Sequence, residues 1–326
     1  MALYYIGVDG GGSKTRYLCV DADGKVCGQG LTLGTYCAQD GIDTVIDRLK
    51  DGIAQCLPTA VEDVLVGFGM PAYGEDKALD AMAVERICAA LAPVRIHFEN
   101  DSAIGWAGAL AMSPGISVVG GTGSIAYGRD SHGQVERSGG WHEFFSDEGS
   151  GYWLGKRLLQ LFSQQSDGRK EKTLLYDLVR ERLSLTDDYD IAAMVSQKCV
   201  SSRKNTAALQ TILLEAARAG DPCALESYDL AAQELCSLVL AVLKKLDFSR
   251  EEPITVSFQG GLFSIRDLIK DAVAEKVLAA APGNIQFCDP RLDPCRGAIL
   301  LAMDAAEPEN LEKMRLDFCR QETVSG

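Results

Sequence analysis

The sequence lacks several features that would assign a protein to a class at once. Its 326 residues contain no run of about 18 apolar residues, so no membrane-spanning helix is predicted. The N-terminus lacks the basic, apolar and small-residue regions of a secretory signal peptide. Histidine is scarce, and His97, His132 and His142 do not have metal-ligand spacing. These absences predict a cytoplasmic protein without a membrane partner or a histidine metal centre.

The cysteines and the charge exclude further classes. None of the 11 cysteines forms a CxxC pair, and an odd number scattered along the chain favours reduced thiols over a disulfide framework. The formal net charge is −14, which argues against nucleic acid or an anionic membrane as a partner. Apolar residues make up 47% and charged residues 24%, as in an ordinary globular protein of one large or two medium domains.

Two glycine-rich turns, each preceded by a β-type run, are the most informative features present. The first turn comprises Gly10, Gly11, Gly12, Ser13, Lys14 and Thr15, and the second comprises Gly120, Gly121, Thr122, Gly123 and Ser124. Glycine lacks a Cβ, so a ligand can approach the backbone closely, and successive N–H groups form an anion-binding concavity. An ordinary hairpin is the alternative for either turn alone. Together they predict a nucleoside triphosphate held from both sides.

The strand before the first turn ends on a carboxylate. Asp9 follows Ile6–Val8 directly. A carboxylate beside bound phosphates is a ligand that Mg²⁺ accepts, directly or through its water shell. We therefore predict Mg²⁺ near Asp9.

The pattern of strand, glycine turn, strand, turn and strand occurs twice, at 3–31 and 116–137. This internal repeat predicts two structurally related α/β halves, with a boundary at the loop 113–115. Hydrophobic periodicity predicts the other elements. They are helices at 40–57, 77–91 and 103–111, strands at 64–68 and 94–98, mostly helix over 152–246, a strand at 254–258, helices at 264–280 and 294–305, and a strand at 285–287. The polar tail after Pro308 is predicted to be frayed.

Asn100 and Asp101 stand where a predicted strand ends and a helix begins. An N-cap role would explain Asp101 completely, because its oxygen could accept an N–H of the first helical turn. However, ligands of α/β sheets bind at the carboxyl ends of strands. A carboxylate placed there could also take a proton from an attacking hydroxyl.

Two later segments combine small residues with possible ligand contacts. Asp147 and Glu148 precede an apolar helix, where a cap and a first-turn acid would explain one carboxylate each. Their position near Gly139 and Gly140 would also suit a polyhydroxyl ligand that needs paired carboxylate acceptors. Gly260 and Gly261 follow another buried strand, and they allow either close helix–strand packing or a flat ring against the backbone.

With these motifs in order, the chain resembles the superfamily of actin, hexokinase and heat-shock chaperone ATPases. That fold is α/β, with two duplicated ribonuclease H-like domains around a nucleotide cleft. The similarity extends over nearly the whole chain and is greatest to the N-acetylglucosamine kinase branch of the BadF/BadG/BcrA/BcrD ATPases. Both glycine turns and Gly260–Gly261 resemble the family's phosphate and adenosine motifs, and 138–151 resembles its most diagnostic stretch.

The resemblance implies an ATP-dependent sugar kinase that uses Mg²⁺ and phosphorylates N-acetylglucosamine or glucosamine at O6. It implies that Asp101 is the catalytic base and that the acceptor sugar is bound by a set of nearby residues. They are Thr35, Tyr36, Asn100, Asp101, Gly140, Asp147 and Glu148. Residues 1–114 would form the N-terminal domain, with a C-terminal helix at 295–320 packing back on it, and 115–294 the nucleotide-binding domain.

One position departs from the family pattern. Tyr36 stands where these kinases place an asparagine that holds the acceptor, so a different amino sugar or a hexose remains an alternative substrate. Two other functions also remain open: an ATPase that activates a radical dehydratase or reductase, and a non-catalytic sugar sensor. The activator branch carries cysteines around its cluster, whereas 147–151 contains none. A homodimer is compatible with the sequence.

Overall fold

Each glycine-rich turn connects the first two strands of a five-stranded sheet. The structure is a computed structural model that describes residues 4–58, 63–248, 253–281 and 283–325. It divides the chain into two units, Met1–Pro114 with Asp289–Gly326, and Gly115–Cys288. We call them unit 1 and unit 2.

The sheet of unit 1 has the strand order β3-β2-β1-β4-β5. Its strands are β1 (Tyr4–Asp9), β2 (Lys14–Asp21), β3 (Val26–Leu33), β4 (Val64–Met70) and β5 (Arg95–Asn100). The first three form an antiparallel meander, and β4 and β5 run parallel to β1. Residue 3, where the first strand was predicted to begin, lies outside the described residues.

The sheet of unit 2 has the order β10-β9-β6-β7-β8, which is the same topology. Its strands are β6 (Gly115–Gly120), β7 (Ser124–Arg129), β8 (Val135–Gly139), β9 (Ile254–Gln259) and β10 (Ile285–Cys288). Strands β6, β7 and β8 again form an antiparallel meander, and β9 and β10 run parallel to β6. The predicted duplicated α/β fold is confirmed.

The helices also follow the sequence patterns closely. They are α1 (Cys37–Asp40), α2 (Ile42–Cys56), α3 (Lys77–Leu91), α4 (Asp101–Leu110), α5 (Gly151–Ser166), α6 (Leu174–Leu183), α7 (Asp190–Lys198), α8 (Arg203–Ala208), α9 (Gln210–Arg218), α10 (Pro222–Lys245), α11 (Asp271–Ala280), α12 (Pro294–Ala306) and α13 (Pro308–Ser325). The predicted helix at 264–280 begins instead as a 3₁₀ turn and a short π segment before α11. Asp221 caps α10 by accepting the Cys223 and Ala224 N–H groups.

Helix α12 returns the chain to unit 1 and lies directly on its sheet. A side chain at Gly7 or Gly67 would collide with the backbone of Cys295 or Ala298, so only glycine permits this approach. The buried side chains of this interface include Ile299 and Met303, at 1% and 0% exposure.

The polar tail is helical, and the prediction of a frayed segment after Pro308 was wrong. Helix α13 carries Leu311, Met314 and Phe318 on one face, with Met314 2% and Phe318 0% exposed. Three apolar residues at helical spacing are enough to dock an otherwise polar helix. All eleven cysteines lie within the described residues and all are free thiols. No helix in the described ranges is long and apolar enough to cross a membrane.

Candidate active site

The first glycine turn is fixed from two sides within unit 1. The Gly10 N–H donates to Gly69 O at 3.0 Å, and a Cβ at Gly10 would collide with that same oxygen. The Thr35 N–H donates to Gly11 O at 3.0 Å, and the Thr15 and Thr35 hydroxyls lie 2.9 Å apart. The turn and the loop after β3 are therefore held together by hydrogen bonds.

The residues of this turn divide into buried and exposed members. Thr15 and Thr35 are both 0% exposed, so their hydroxyls stabilise the turn from the protein interior. Gly12, Ser13 and Lys14 are exposed, and they present the backbone, a hydroxyl and an ammonium group to solvent. Tyr36, the residue before α1, is half-buried.

Asp9 has an unusual electrostatic environment at the end of β1. Its side chain is 23% exposed, and its nearest cation is the Arg16 guanidinium at 3.8 Å. Burial, with a smaller contribution from Asp293, raises the pKa of Asp9 to about 6, although Arg16 and Lys14 oppose the shift. The carboxylate therefore holds its charge at neutral pH against a desolvation cost, which a cation would relieve.

Asp9 lines a cavity of about 550 Å³ in unit 1. Arg16, Asp293 and Arg296 line the same cavity. Asp293 caps α12 by accepting the Arg296 N–H at 3.0 Å and pairs with the Arg296 guanidinium. The described residues contain no group of three potential metal-ligating side chains, so a metal at Asp9 would need oxygen ligands from a substrate as well.

Asn100, and not Asp101, caps α4. The Asn100 Oδ1 accepts the Ser102 N–H at 2.9 Å, and its Nδ2 donates to Tyr73 O at 2.8 Å in the turn after β4. The cap role considered for Asp101 is therefore wrong, because Asp101 is the first residue inside the helix. Its side chain is exposed.

Strand register brings these groups to one edge of the sheet. Asp9 pairs with Gly69, and Met70 pairs with Asn100 across the parallel strands β1, β4 and β5. The carboxyl ends of parallel strands meet at the same edge, where α/β proteins bind ligands. Asp9 and Asp101 thus lie at one edge of unit 1.

The second glycine turn is fastened to the start of α5 in unit 2. The Gly151 N–H donates to Gly121 O at 2.9 Å, and the Tyr152 N–H donates to Thr122 O at 3.2 Å. The Ser124 hydroxyl donates to Glu148 O at 2.7 Å. These bonds connect two segments that the sequence analysis treated as separate motifs.

Asp147 completes that connection through its side chain. Its Oδ1 accepts the Ser124 N–H at 3.1 Å, and its Oδ2 pairs with the Arg203 guanidinium from α8. The residue is 4% exposed and adopts φ +67°, a left-handed conformation that costs a non-glycine residue energy. Asp147 therefore supports the turn, a role that the sequence did not reveal.

Two N–H groups of the turn remain available for a ligand. Gly121 N donates to Gly123 O and Ser124 N donates to Asp147, so both are satisfied. Within the described ranges, Thr122 N and Gly123 N have no hydrogen-bond acceptor. Thr122 is also exposed, so its hydroxyl and these two amides form a concavity suited to phosphate oxygens.

The third glycine turn lies beside the second. Strands β6 and β9 pair in parallel through Val119 and Gln259, so their carboxyl ends are adjacent. Gly260 has φ +91°, and a Cβ there would collide with Gly120 O. Gly261 is exposed, with open space around its Cα. The predicted phosphate and adenosine motifs of unit 2 are therefore neighbours.

The remaining predicted acceptor residues surround the same segment of unit 2. Gly140 adopts φ +64°, which allows the chain to turn after β8. Glu148 is half-buried, and in the described part of the chain its carboxylate has no hydrogen-bond or ion-pair partner. The sugar contacts assigned to these two residues, like those assigned to Asp147 and Tyr36, remain predictions.

Sequence reasoning missed Arg203 and Asp293. Arg203 lies 56 positions from its partner Asp147, in a helical region without a recognisable motif. Asp293 precedes a proline at a helix start, a pattern that indicates only a cap. Asp293 does cap α12, but the pattern gives no sign that its carboxylate also lines the cavity beside Asp9.

Comparison with known proteins identifies the family. The model of the BadF/BadG/BcrA/BcrD ATPase family matches residues 6–302, which is most of the chain. The chain belongs to this family. The predicted resemblance is thereby confirmed, and the following relatives show which branches of the family the chain is most similar to.

Two relatives match across almost their entire length. One is the N-acetyl-D-glucosamine kinase of Dictyostelium discoideum, 28% identical over 315 residues that cover 92% of this chain and 98% of the relative. The other is the N-acetylmuramic acid/N-acetylglucosamine kinase of Clostridium acetobutylicum, 29% identical over 304 residues with the same coverages.

Solved structures agree with this placement. A candidate N-acetylglucosamine kinase from Chromobacterium violaceum is 26% identical, with a TM-score of 0.72 over 92% of this chain and 98% of that one. A ROK family glucokinase from Streptomyces griseus, at 16% identity and a TM-score of 0.54, shares the fold over 94% of this chain and 99% of its own. The family fold is thus the actin-like fold of sugar kinases.

Proposed function

We propose that the protein is an ATP-dependent sugar kinase that transfers the γ-phosphoryl group to a hydroxyl of an amino sugar or hexose. The relatives that match along nearly their whole length are sugar kinases, which supports this class. N-acetylglucosamine and glucosamine are the proposed first acceptors, with O6 as the reacting hydroxyl. The observation that carries the proposal is the position of the exposed Asp101 carboxylate, which directly follows β5 at the carboxyl edge of the unit 1 sheet.

The phosphate groups of ATP have suitable partners in both glycine turns. In unit 2, Thr122 and Gly123 offer two N–H groups and a hydroxyl, and Gly260–Gly261 offers open backbone for the adenosine beside them. In unit 1, Gly12, Ser13 and Lys14 are exposed. Phosphoryl transfer depends mainly on positioning and charge neutralisation, so donors and cations of this kind are the parts that it requires.

Asp9 fits a role at Mg²⁺. Its carboxylate lies at the wall of a cavity and is charged at neutral pH despite burial. Mg²⁺ in such sites takes one or two carboxylates together with substrate phosphates, which agrees with the lack of a third ligating side chain in the described residues. When bound, Mg²⁺ would neutralise charge on the phosphates.

Asp101 has the position required of a general base. It stands at the carboxyl edge of the sheet, at the same edge as Asp9. Its carboxylate would accept the proton of the sugar hydroxyl while the hydroxyl oxygen bonds to the γ-phosphorus and the bond to the ADP oxygen breaks. Asn100 orients it indirectly by fixing the start of α4.

The acceptor sugar is proposed to contact Glu148 and the loop that contains Thr35 and Tyr36. Glu148 has a carboxylate available for sugar hydroxyls. Tyr36 replaces the asparagine that the family resemblance leads one to expect, so a different amino sugar or a hexose is the alternative acceptor. Free thiols at all eleven cysteines support a cytoplasmic location for the enzyme.

The Asp101→Asn variant tests the proposal. Asparagine keeps the shape of the side chain but cannot take the proton, so turnover should fall by about 10²- to 10⁴-fold. ATP binding, measured by calorimetry, should remain unchanged. Asp43→Asn is the matched control, because Asp43 also lies in the first turn of a unit 1 helix. Turnover by Asp101→Asn close to that of the wild type would refute the assignment.

A further inference from the structure

Arg203 occupies an unusual position for a cation. It is the first residue of α8, whose N-cap is Ser202. The N-terminus of a helix carries partial positive charge, so a guanidinium there is electrostatically disfavoured. The Asp147 carboxylate and, at 3.7 Å, Glu143 supply the opposing negative charge.

The guanidinium also touches the second glycine turn. A Cβ built on Gly123 would lie 3.1 Å from Arg203 Nη2 and 2.8 Å from Asp147 Oδ1. The ion pair therefore packs against the backbone of Gly123, and a larger residue there would have to displace it. The Asp147 carboxylate connects the guanidinium to the turn. One of its oxygens pairs with Arg203, and the other accepts the Ser124 N–H in a charge-assisted hydrogen bond.

We propose that Arg203 is a positioning residue for nucleotide binding. Through Asp147 it fixes the Ser124 amide, and it thereby directs the neighbouring Thr122 and Gly123 N–H groups towards the polyphosphate. The proposal rests on the proposed function, since it takes the turn to be a phosphate site. Asp147 then acts on the phosphate side of the reaction, in addition to any contact with the sugar.

The alternative is that the ion pair only stabilises the fold. Removal of a purely structural ion pair would lower the midpoint of unfolding without changing the ATP affinity of the folded protein. Removal of a positioning pair would also loosen the turn locally, because the side chain that accepts the Ser124 N–H would no longer be held in place by the guanidinium. The affinity for ATP in the absence of sugar separates the two roles and does not depend on turnover.

The experiment compares Arg203→Met, Asp147→Asn and the double variant. Asparagine at 147 keeps an oxygen for the Ser124 N–H and tolerates the left-handed backbone, but it loses the charge pairing. Each single variant should weaken ATP binding by on the order of tenfold, the effect of one charge-assisted hydrogen bond. The double variant should bind no more weakly than the singles, because both remove the same interaction.

Amide hydrogen exchange in the ligand-free protein gives a second readout. Peptides covering 120–126 should exchange faster in Arg203→Met than in the wild type. Arg203→Lys keeps the charge and should restore part of the ATP affinity, and Asp147→Asn serves as the deciding variant if Arg203→Met does not fold. Arg182→Met, which removes the surface pair with Glu215, is the control and should change neither readout.

The outcomes are distinct. Wild-type ATP affinity in folded Arg203→Met, or in Asp147→Asn if Arg203→Met does not fold, with unchanged exchange at 120–126, would overturn the positioning role and leave the kinase proposal intact. Additive losses in the double variant would also contradict it, because they would show that the two side chains act separately. A wild-type protein that binds no ATP would overturn the proposed function and this assignment with it.

Discussion

At the scale of single residues, the predicted site residues turned out to have two kinds of role. Asp9 lines a cavity, and Lys14 and Thr122 are exposed, so the ligand contacts predicted for them stay predictions that their accessibility permits. Thr15 and Ser124 are buried, and their polar groups hold the turns in shape. A glycine-rich motif shows that a turn has such members, but only the three-dimensional contacts show which side chain faces inward.

Asp9→Asn should make the protein more stable at neutral pH and less active. The pKa of Asp9 rises from 3.8 to about 6 on folding, so its favourable contribution is complete below the unfolded value and is lost as pH rises through 6. Removal of the charge should therefore increase the free energy of unfolding by up to about 3 kcal/mol at pH 7.5, and by about half of that at pH 5.

Urea unfolding at the two pH values measures this effect. Asp47→Asn, an exposed carboxylate on α2, is the control and should have little influence. A gain in stability that is equally large at pH 5 and pH 7.5 would show that ionisation of Asp9 is not its source. Turnover should decrease in Asp9→Asn, because the substitution removes the carboxylate that is proposed to bind Mg²⁺. A substitution that stabilises the fold at a functional site often lowers activity in this way.

At the scale of elements, strands and most helices were predictable because their hydrophobic periodicity is strong. Helix α3 was predicted with the bounds that the structure has, and Asp221 marks the start of α10. Hydrophobic periodicity did not predict the C-terminal helix α13, because three apolar residues in a polar segment give a weak local signal; only the family resemblance implied a helix as far as residue 320. Its stability comes from tertiary contacts of Met314 and Phe318.

Phe318→Ala should destabilise unit 1 strongly. The ring is 0% exposed and lies beneath the Arg296 guanidinium at 5.6 Å. Truncation of a fully buried phenylalanine costs about 3–5 kcal/mol, because it removes apolar contacts and leaves a cavity. Chemical denaturation monitored by circular dichroism measures the loss.

Leu316→Ala is the matched control on the same helix. Leu316 is 40% exposed, so its truncation should change the free energy of unfolding by less than about 1 kcal/mol. Equal effects of the two substitutions would contradict the docked helix. Because Arg296 also pairs with Asp293 beside Asp9, Phe318→Ala is expected to raise the KM for ATP as well.

At the scale of the whole molecule, the duplicated topology is the feature that the sequence predicted most completely. The two glycine turns identified the repeat, because each connects the first two strands of the same five-stranded arrangement. The contacts between distant segments were not predictable. Arg203 reaches Asp147 from a helical region whose residues follow ordinary helix periodicity, and no motif indicates where that region folds back.

The proposed reaction assigns roles to residues of each unit. Asp9 and Asp101 belong to unit 1, whereas Thr122, Gly260 and Arg203 belong to unit 2. Substitution in either unit should therefore impair one and the same reaction. The family model is that of ATPases, whereas the full-length relatives are sugar kinases, so transfer of phosphate to a sugar is the property that distinguishes the proposed function.

ADP release measured with ATP, Mg²⁺ and a panel of sugars tests the central claim most directly. The panel contains N-acetylglucosamine, glucosamine, N-acetylmuramic acid and glucose, each compared with a reaction that contains no sugar. At least one sugar should increase ADP release on the order of 10²-fold or more over water as acceptor, with phosphate found on the sugar in equal amount. ADP release that is the same with and without every sugar would contradict the account.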